Sequence, residues 1–515
     1  MLKRIVAVSV MALQGLWAAP LAAQAPAKDV LVVAQPYDLQ VIDPSANTED
    51  LNTVINENVF ETLWAFDKNW QPAPVLAAGL PEFSDGGKLI TIKLRKDVPF
   101  HDGSVMTSDD VVVSLRRWIN VSPRGKLAGA VITDIKATAP DTVEIKLSKP
   151  FAPLIPLMTF LNSPASIIPK AKAEAFIDKP MTRIEDLIGT GPFRYLERRP
   201  DQYIRMVKFD AYKPPEGAAS YFAGKRDALV KELRFVPVPN ANTRLESVLT
   251  GQYDMAEQLS TEHMQRLAAS DRVRPAIQKP GNWLFMLLNL RQGPTKDVRF
   301  RKAVQAALDH NAMLLAGLGS TDFFTLRSSL YDETSPFFSK NGEALFNKRD
   351  LPLAKKLLAE MGYKGEPFRI LTSPQRDAYY KAALVAAQNL QEVGIKVDVQ
   401  TMDWASVMSK RNDENNWEAT ITNHGFVPEP SLVNPVNPAY VGWWDTPAKR
   451  AALETFNTTV DPKARAAAWD KVQGLWMEEV PTIVIGEFFV LRGVAKNVTG
   501  DLSIPLAPSW NIGKN

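Results

Sequence analysis

Cysteine is absent from all 515 residues. That absence excludes disulfides, thiol nucleophiles and Cys-based metal sites, and it removes the lipidated cysteine that tethers some exported proteins to a membrane. Histidine is nearly as scarce: His101, His263, His310 and His424 are scattered, without the spacing of a metal-ligand set. No HExxH, GxSxG, P-loop or strand-linked GxGxxG occurs. Charge of one sign never accumulates. Lys and Arg number 60 against 57 Asp and Glu, and a pI near 8.7 without basic clusters gives no reason to expect nucleic acid or an anionic membrane surface. No later segment offers the roughly 20 uninterrupted apolar residues that cross a bilayer, so the chain is not expected to be membrane-embedded. Internal repeats and low-complexity tracts are missing too. A hydrophobic content of 45% is ample for real cores. At about 150 residues each, the length predicts two to three domains. A large chain with cores but no catalytic constellation reads as a binding protein rather than an enzyme, with no cofactor and no metal expected.

The beginning of the chain is one place where apolar residues do cluster. Met1-Leu2-Lys3-Arg4 is a positive start, Ile5 to Leu13 is apolar, and Pro20-Leu21-Ala22-Ala23-Gln24-Ala25 offers small residues for cleavage after Ala23 or Ala25. This reads as a secretory signal peptide over residues 1–25. With no cysteine to lipidate, the expected address is the periplasm. Lys3 and Arg4 also carry two of the three net positive charges, leaving about +1 for the mature chain.

Along the chain, Asp29 to Ala34 reads as a buried strand and Leu51 to Phe66 as a helix with Val54, Val59, Leu63 and Trp64 on its apolar face. Phe151 to Pro169 reads as a packed, irregular connector. Asp297 to Leu315 carries Phe300, Val304, Leu308 and Leu315 at helical spacing, with His310 on the polar, solvated side. Asp350 and Gly362 bracket a helix as N-cap and C-terminal stop. A strand around Phe368 to Thr372, a long Ala-rich helix ending at Gly394, and a strand from Ile395 form a βαβ unit, which implies parallel pairing in an α/β domain. Trp469 to Glu479 reads as a helix, followed by a buried strand from Pro481 to Ile485.

The richest stretch is Phe83 to Trp118. Asp85-Gly86-Gly87 supplies a tight turn, Leu89 to Leu94 alternates as a half-buried strand, and His101-Asp102-Gly103 is a second turn in which His101 is a structural residue. Thr107-Ser108-Asp109-Asp110 starts a helix, its carboxylates facing the positive end of the dipole. Glu478/Glu479 is likewise a helix-end charge pair. The run "LRKDVPFHDGSVMTSDDVVVSLRR" closely resembles the signature "LRxGVxFHDGxPxTAxDVxxSxxR" of the bacterial solute-binding proteins of family 5, the dipeptide-, oligopeptide- and nickel-type receptors of ABC importers. "GTGPF" at 189–193 and "VRFRKAVQAALDH" at 298–310 extend the resemblance, which covers essentially the whole mature chain.

This resemblance implies an α/β, two-lobed periplasmic-binding-protein-like fold with a hinge and an extra small inserted domain. Mapped onto this sequence, lobe I is 26–57 plus 184–270 plus 486–515, the inserted small domain is 58–183, and lobe II is 271–485. It implies a periplasmic, monomeric receptor that closes around a small solute and delivers it to an inner-membrane ABC permease. Peptide-binding relatives carry a "GWxxDxxxP" loop whose Asp pairs with the ligand ammonium. The corresponding stretch here is Asn423-His424-Gly425-Phe426-Val427-Pro428-Glu429-Pro430. Phe426 falls at the Asp position, and Glu429 is the only carboxylate in the loop. Asn423, His424, Phe426 and Glu429 of this loop are candidate ligand-binding residues, with Trp404, Trp443 and Trp444 as rigid apolar walls beside the second-lobe loops and Asn282 and Trp283 where the resemblance implies cleft residues. The resemblance implies a peptide or peptide-like ligand, with an opine, an oligosaccharide or a metal chelate as alternatives. A secreted hydrolase, or a chaperone or signalling protein on the same fold, are readings from other classes.

Overall fold

The computed structural model of the protein describes residues 27–515; the signal peptide and both cleavage alternatives lie outside the described residues. Ten strands form the main path of one sheet. They are β1 (Val30–Gln35), β2 (Phe193–Arg199), β3 (Tyr203–Lys208), β4 (Glu232–Pro237), β5 (Met255–Leu259), β6 (Val273–Leu288), β7 (Phe368–Thr372), β8 (Val397–Thr401), β9 (Ala419–His424) and β10 (Thr482–Ala495). Their spatial order is β8-β7-β9-β6-β10-β5-β1-β4-β3-β2. The short strand Phe324–Thr325 pairs with β10 off this path.

β6 and β10 hold the two ends of the sheet together. They run antiparallel along their length, from Val273 opposite Ala495 to Leu287 opposite Thr482. One end of β10 adds β5, with Met255 opposite Val494. The other end of β6 adds β9, with Trp283 opposite His424 and Leu288 opposite Ala419. A 16-residue strand spans about 50 Å, so these two strands reach from one half of the molecule into the other. The register of the pair shifts between Gln278 and Asn282. At that break a Cβ on Gly281 would lie 2.1 Å from the Phe488 carbonyl oxygen, so only glycine lets the strands approach. A four-stranded sheet, ordered Glu82–Ser84, Leu89–Lys93, Thr142–Leu147, Ile132–Ala139, stands apart from the large one.

Six helices matter below: α1 (Asp50–Asn56), α2 (Ser108–Val121), α3 (Val298–Ala307), α4 (His310–Leu318), α5 (Leu351–Met361) and α6 (Asp377–Glu392). Local signals hold well where they are self-contained. The Asp85-Gly86-Gly87 turn has positive φ at all three residues. Asp110 accepts the Thr107 N–H at 2.8 Å at the start of α2. His101 ties its turn to the 189–191 segment, its ring nitrogens meeting the Gly191 carbonyl and the Gly189 N–H. Asp350 caps α5 through the Leu353 N–H, and Gly362 ends it at φ 72°. β7, α6 and β8 form the expected parallel unit, with Phe368 opposite Val397.

Three expectations need correction. The helix expected over 51–66 ends at Asn56, and Trp64–Phe66 is a strand. Asn58 donates its side-chain amide to the carbonyls of Val54 and Ile55, taking the groups that would continue the helix. The helix expected over 297–315 is two. Leu308 is extended, and Asp309 accepts the Ala312 N–H as a new N-cap. With that break His310 is not solvated: it is fully buried, edge-on to Phe346 at 4.9 Å, and burial lowers its pKa to about 4. Part of the Phe151–Pro169 connector is helical, over Leu154–Thr159.

Candidate functional site

Where β6 and β10 cross between the two halves of the sheet, a cavity opens with about 680 Å³ of empty space, counted out to its mouth. From one side come Gln35 at the end of β1, Asp50, Leu51 and Val54 of α1, and Glu257 and Gln258 of β5. From the other come Gly281 and Asn282 of β6, and Gly425 and Phe426 just past β9. Residues 490–506 close one end.

The first wall is polar and incompletely satisfied. Asp50 is exposed on the cavity, and desolvation by the surrounding protein raises its pKa; Asn162 and the Arg124 charge partly offset the shift. Its one hydrogen bond among the described residues comes from Asn162 Nδ2 at 3.2 Å, and no ion pair among them includes it. A Cβ on Gly425 would lie 3.5 and 3.9 Å from the two Asp50 oxygens and 3.8 Å from Asn282 Oδ1, so the carboxylate faces the opposite wall directly. Burial pushes the phenols of Tyr37 and Tyr379 up to about 12, and the Asp50 charge adds to both shifts. Tyr37 follows β1 and Tyr379 lies on α6, so the charge sits between the two halves. Gln35 is 4% exposed, and its Nε2 has no partner. The Asn282 side chain makes no hydrogen bond to a described residue. Glu257, by contrast, is paired with Arg492 at 2.8 Å.

The second wall is aromatic and satisfied. Phe426 packs between Trp70 at 4.6 Å, Trp283 at 6.1 Å and Tyr331 at 6.5 Å. Trp283 and His424 are register partners with rings 5.6 Å apart, and both are buried behind Phe426. His424 uses both ring nitrogens: Nδ1 meets the Gly425 carbonyl at 2.6 Å, and Nε2 accepts the Asn434 N–H at 3.0 Å. Donation from Nδ1 and acceptance at Nε2 fix one neutral tautomer, and burial lowers its pKa to about 4. Neither nitrogen is left for a metal, and among the described residues no group of three or more His, Cys, Asp and Glu could hold one.

Of the nine candidate residues, the fold gathers Asn282 and Phe426 on the cavity, with Trp283 and His424 directly behind. Asn423 lies in the same strand, paired with Leu284, its side chain without a described hydrogen bond. Trp404 stands one residue removed, against Tyr379 at 6.0 Å and under Arg376. The other three are placed elsewhere. Trp443 packs on Trp417 beneath Arg291. Trp444 is buried, its Nε1 donating to Glu479 at 2.5 Å. Glu429 is buried and grips Arg465 with both oxygens, at 2.5 and 2.8 Å, while it caps the turn at Ser431. Its carboxylate anchors the loop rather than facing the cavity.

Sequence reasoning missed Asp50, Gln35 and Gly425. The Glu49-Asp50 pair before a helix carries only the generic signal of N-terminal helix charge, and Gln35 ends an ordinary strand.

Comparison with known proteins fits this arrangement. The description "bacterial extracellular solute-binding proteins, family 5 middle" matches residues 71–444. The probable peptide ABC transporter periplasmic-binding protein y4tO of Sinorhizobium fredii is 26% identical over 499 residues, covering 93% of this chain and 92% of its own. The dipeptide-binding protein of Escherichia coli is 25% identical over 467 residues, covering 82% and 83%. Among solved structures, a dipeptide-binding protein from Pseudoalteromonas in complex with Met-Leu has a TM-score of 0.78 at 20% identity, covering 94% of this chain and all of that one. The binding protein AgaA from A. tumefaciens in complex with agropinic acid has a TM-score of 0.74 at 22% identity, covering 92% and 95%. These likenesses carry the fold: two lobes of the periplasmic-binding-protein type.

Proposed function

The chain belongs to family 5 of the bacterial extracellular solute-binding proteins, and from that premise we propose that it captures a peptide or peptide-like solute in the periplasm and delivers it to an ABC permease. The observation that carries this reading is the cavity at the strand crossing. Both lobes line it, and Asp50 and Asn282 present polar side chains there that have one hydrogen bond and none, respectively, among the described residues. Buried polar groups are normally satisfied, so such atoms in a recess mark where a ligand completes the hydrogen bonding. The relatives named for peptides and dipeptides support the same substrate class.

The mechanism is closure. β6 and β10 are the two long segments shared by both halves, and the register break at 278–282 concentrates bending beside the cavity. On this reading lobe I is 26–57 plus 184–270 plus 486–515, the inserted domain is 58–183 and lobe II is 271–485, acting as a monomer after removal of the leader. Phe426 of lobe II against Trp70 of the inserted domain is a contact that opening would break. No chemistry is performed; a ligand shifts the population toward the closed state by its greater affinity for it.

The test is a thermal-shift screen of residues 26–515, stripped of co-purified ligand, against di- to pentapeptides, opines, oligosaccharides and nickel–histidine. A ligand at 100 times its Kd adds about 2.7 kcal/mol of apparent stability. Peptides should raise the Tm. If another class does so and peptides do not, the substrate assignment falls while the receptor stands. If nothing in the panel shifts the protein, the receptor reading falls.

A further inference from the structure

We propose that Asp50 is the anchor for a cationic group of the ligand, an ammonium held from lobe I, so that charge recognition has moved from the 425–430 loop to the first turn of α1. This inference rests on the cavity being the solute site.

The loop is spent for this purpose. Phe426 is an aromatic wall, and Glu429 is consumed by Arg465. Asp50 is the carboxylate on the cavity with no cationic partner among the described residues, whereas Glu257 has Arg492. Arg124, the nearest basic group that acts on Asp50, donates instead to the carbonyl and side-chain oxygens of Asn162 and stacks on Phe160. A carboxylate on the cavity wall, partly desolvated by its surroundings and bonded to one neutral amide, keeps acceptor capacity that an arriving cation can use.

The geometry suits an ammonium. The two Asp50 oxygens and Asn282 Oδ1 converge on the space left by the missing side chain of Gly425, all within 3.9 Å of where its Cβ would be. These oxygens face the cavity in front of Gly425 and are acceptors for the N–H donors of an amine lying there. Phe426 lines the same cavity, backed by Trp70, as an aromatic surface that favours a neighbouring cation.

The experiment titrates wild type, Asp50→Asn and Asp50→Ser with the best free-amine peptide from a di- to pentapeptide library and with its N-acetylated copy. We expect acetylation to weaken wild-type binding by about 30-fold or more, and Asp50→Asn to weaken the free amine by a similar factor. The acetylated peptide should bind wild type and variants within about threefold, because the two deletions remove the same interaction. Unchanged free-amine affinity in both Asp50 variants overturns the inference, as does a wild type that binds acetylated peptides equally well. The wild-type comparison alone decides if neither variant folds. Binding only of uncharged sugars would sink Asp50 as anchor and leave the receptor standing; no binding at all would sink both.

Discussion

The wall of the cleft built from β1 and α1 and the wall built from β6, β9 and the loop beyond differ in how completely their polar groups are satisfied. On the second, His424 has both ring nitrogens bonded, Glu429 is locked bidentately to Arg465, and Trp283, Phe426 and Tyr331 pack on one another. On the first, among the described residues, Asp50 has one neutral hydrogen-bond partner and Gln35 Nε2 has none. A wall saturated within itself gives shape and stability. A wall left short of partners is, on the proposed function, where a ligand supplies the missing bonds. Each wall includes a carboxylate, Asp50 on the first and Glu429 behind the second, and it is their pairing that separates them.

The largest way to break the contrast is to unsatisfy the saturated wall. Arg465→Met leaves Glu429 buried without its cation and should lower stability by about 3–5 kcal/mol, read from the denaturant midpoint. A loss under 1 kcal/mol would mean the pair is dispensable. Acid attacks the same wall more gradually. The unfolded chain binds a proton on His424 below pH 6.5, while the folded imidazole stays neutral until about pH 4. Stability is therefore lost as pH falls through that window, at up to roughly 1.4 kcal/mol per pH unit for this group. His101 and His310 add to the same slope, with pKa values also lowered by burial to about 4. His424→Gln should flatten the pH dependence by one proton; an unaltered slope would contradict a neutral His424.

Phe426→Ala removes the contact that joins Trp70 to Trp283 and should cost about 1–2 kcal/mol, since the ring is only half-buried. Its effect should be larger on ligand affinity than on Tm if the contact belongs to the closed cleft. Asp50→Asn is the smallest change for the free protein. A raised carboxyl pKa means that ionisation opposes folding, the opposite sign from His424: that contribution is present in acid and lost as pH rises through the folded pKa. At pH 7 the variant should melt within about 0.5 kcal/mol of wild type, or slightly above it. A large destabilisation would show that Asp50 serves the fold through Asn162 instead.

Much of the architecture was legible because its causes are local. The Asp85-Gly86-Gly87 turn, the alternation of the 89–93 strand, the caps at Asp350 and Gly362 and the βαβ unit around α6 each depend on neighbours a few residues away. Errors arose where a side chain overrode periodicity. Asn58 ends α1 inside an apolar pattern that continues to Trp64, and Asp309 starts a new helix within a pattern that runs to Leu315. His310 was misplaced as a consequence. The site was half legible. The resemblance pointed to the 423–430 loop, and Asn282, Trp283, His424 and Phe426 do converge at the cavity or directly behind it. Trp443, Trp444 and Glu429 could not be sorted from them, because a buried tryptophan and a wall tryptophan are the same letter.

By itself the sequence determined the class of the protein: cores without a catalytic set, no thiol chemistry, strand and helix periods of an α/β fold, and a signature run that places it among solute receptors. Tertiary structure alone decided which charges are spent and which are available. Glu429 meets Arg465, 36 residues away on a helix, whereas Asp50 faces Gly425 and Asn282 across a cleft and forms no ion pair among the described residues. Whether a carboxylate is a brace or a binding group depends on what lies within a few ångströms of it, and for groups distant in sequence only the packing of the two lobes brings those neighbours together.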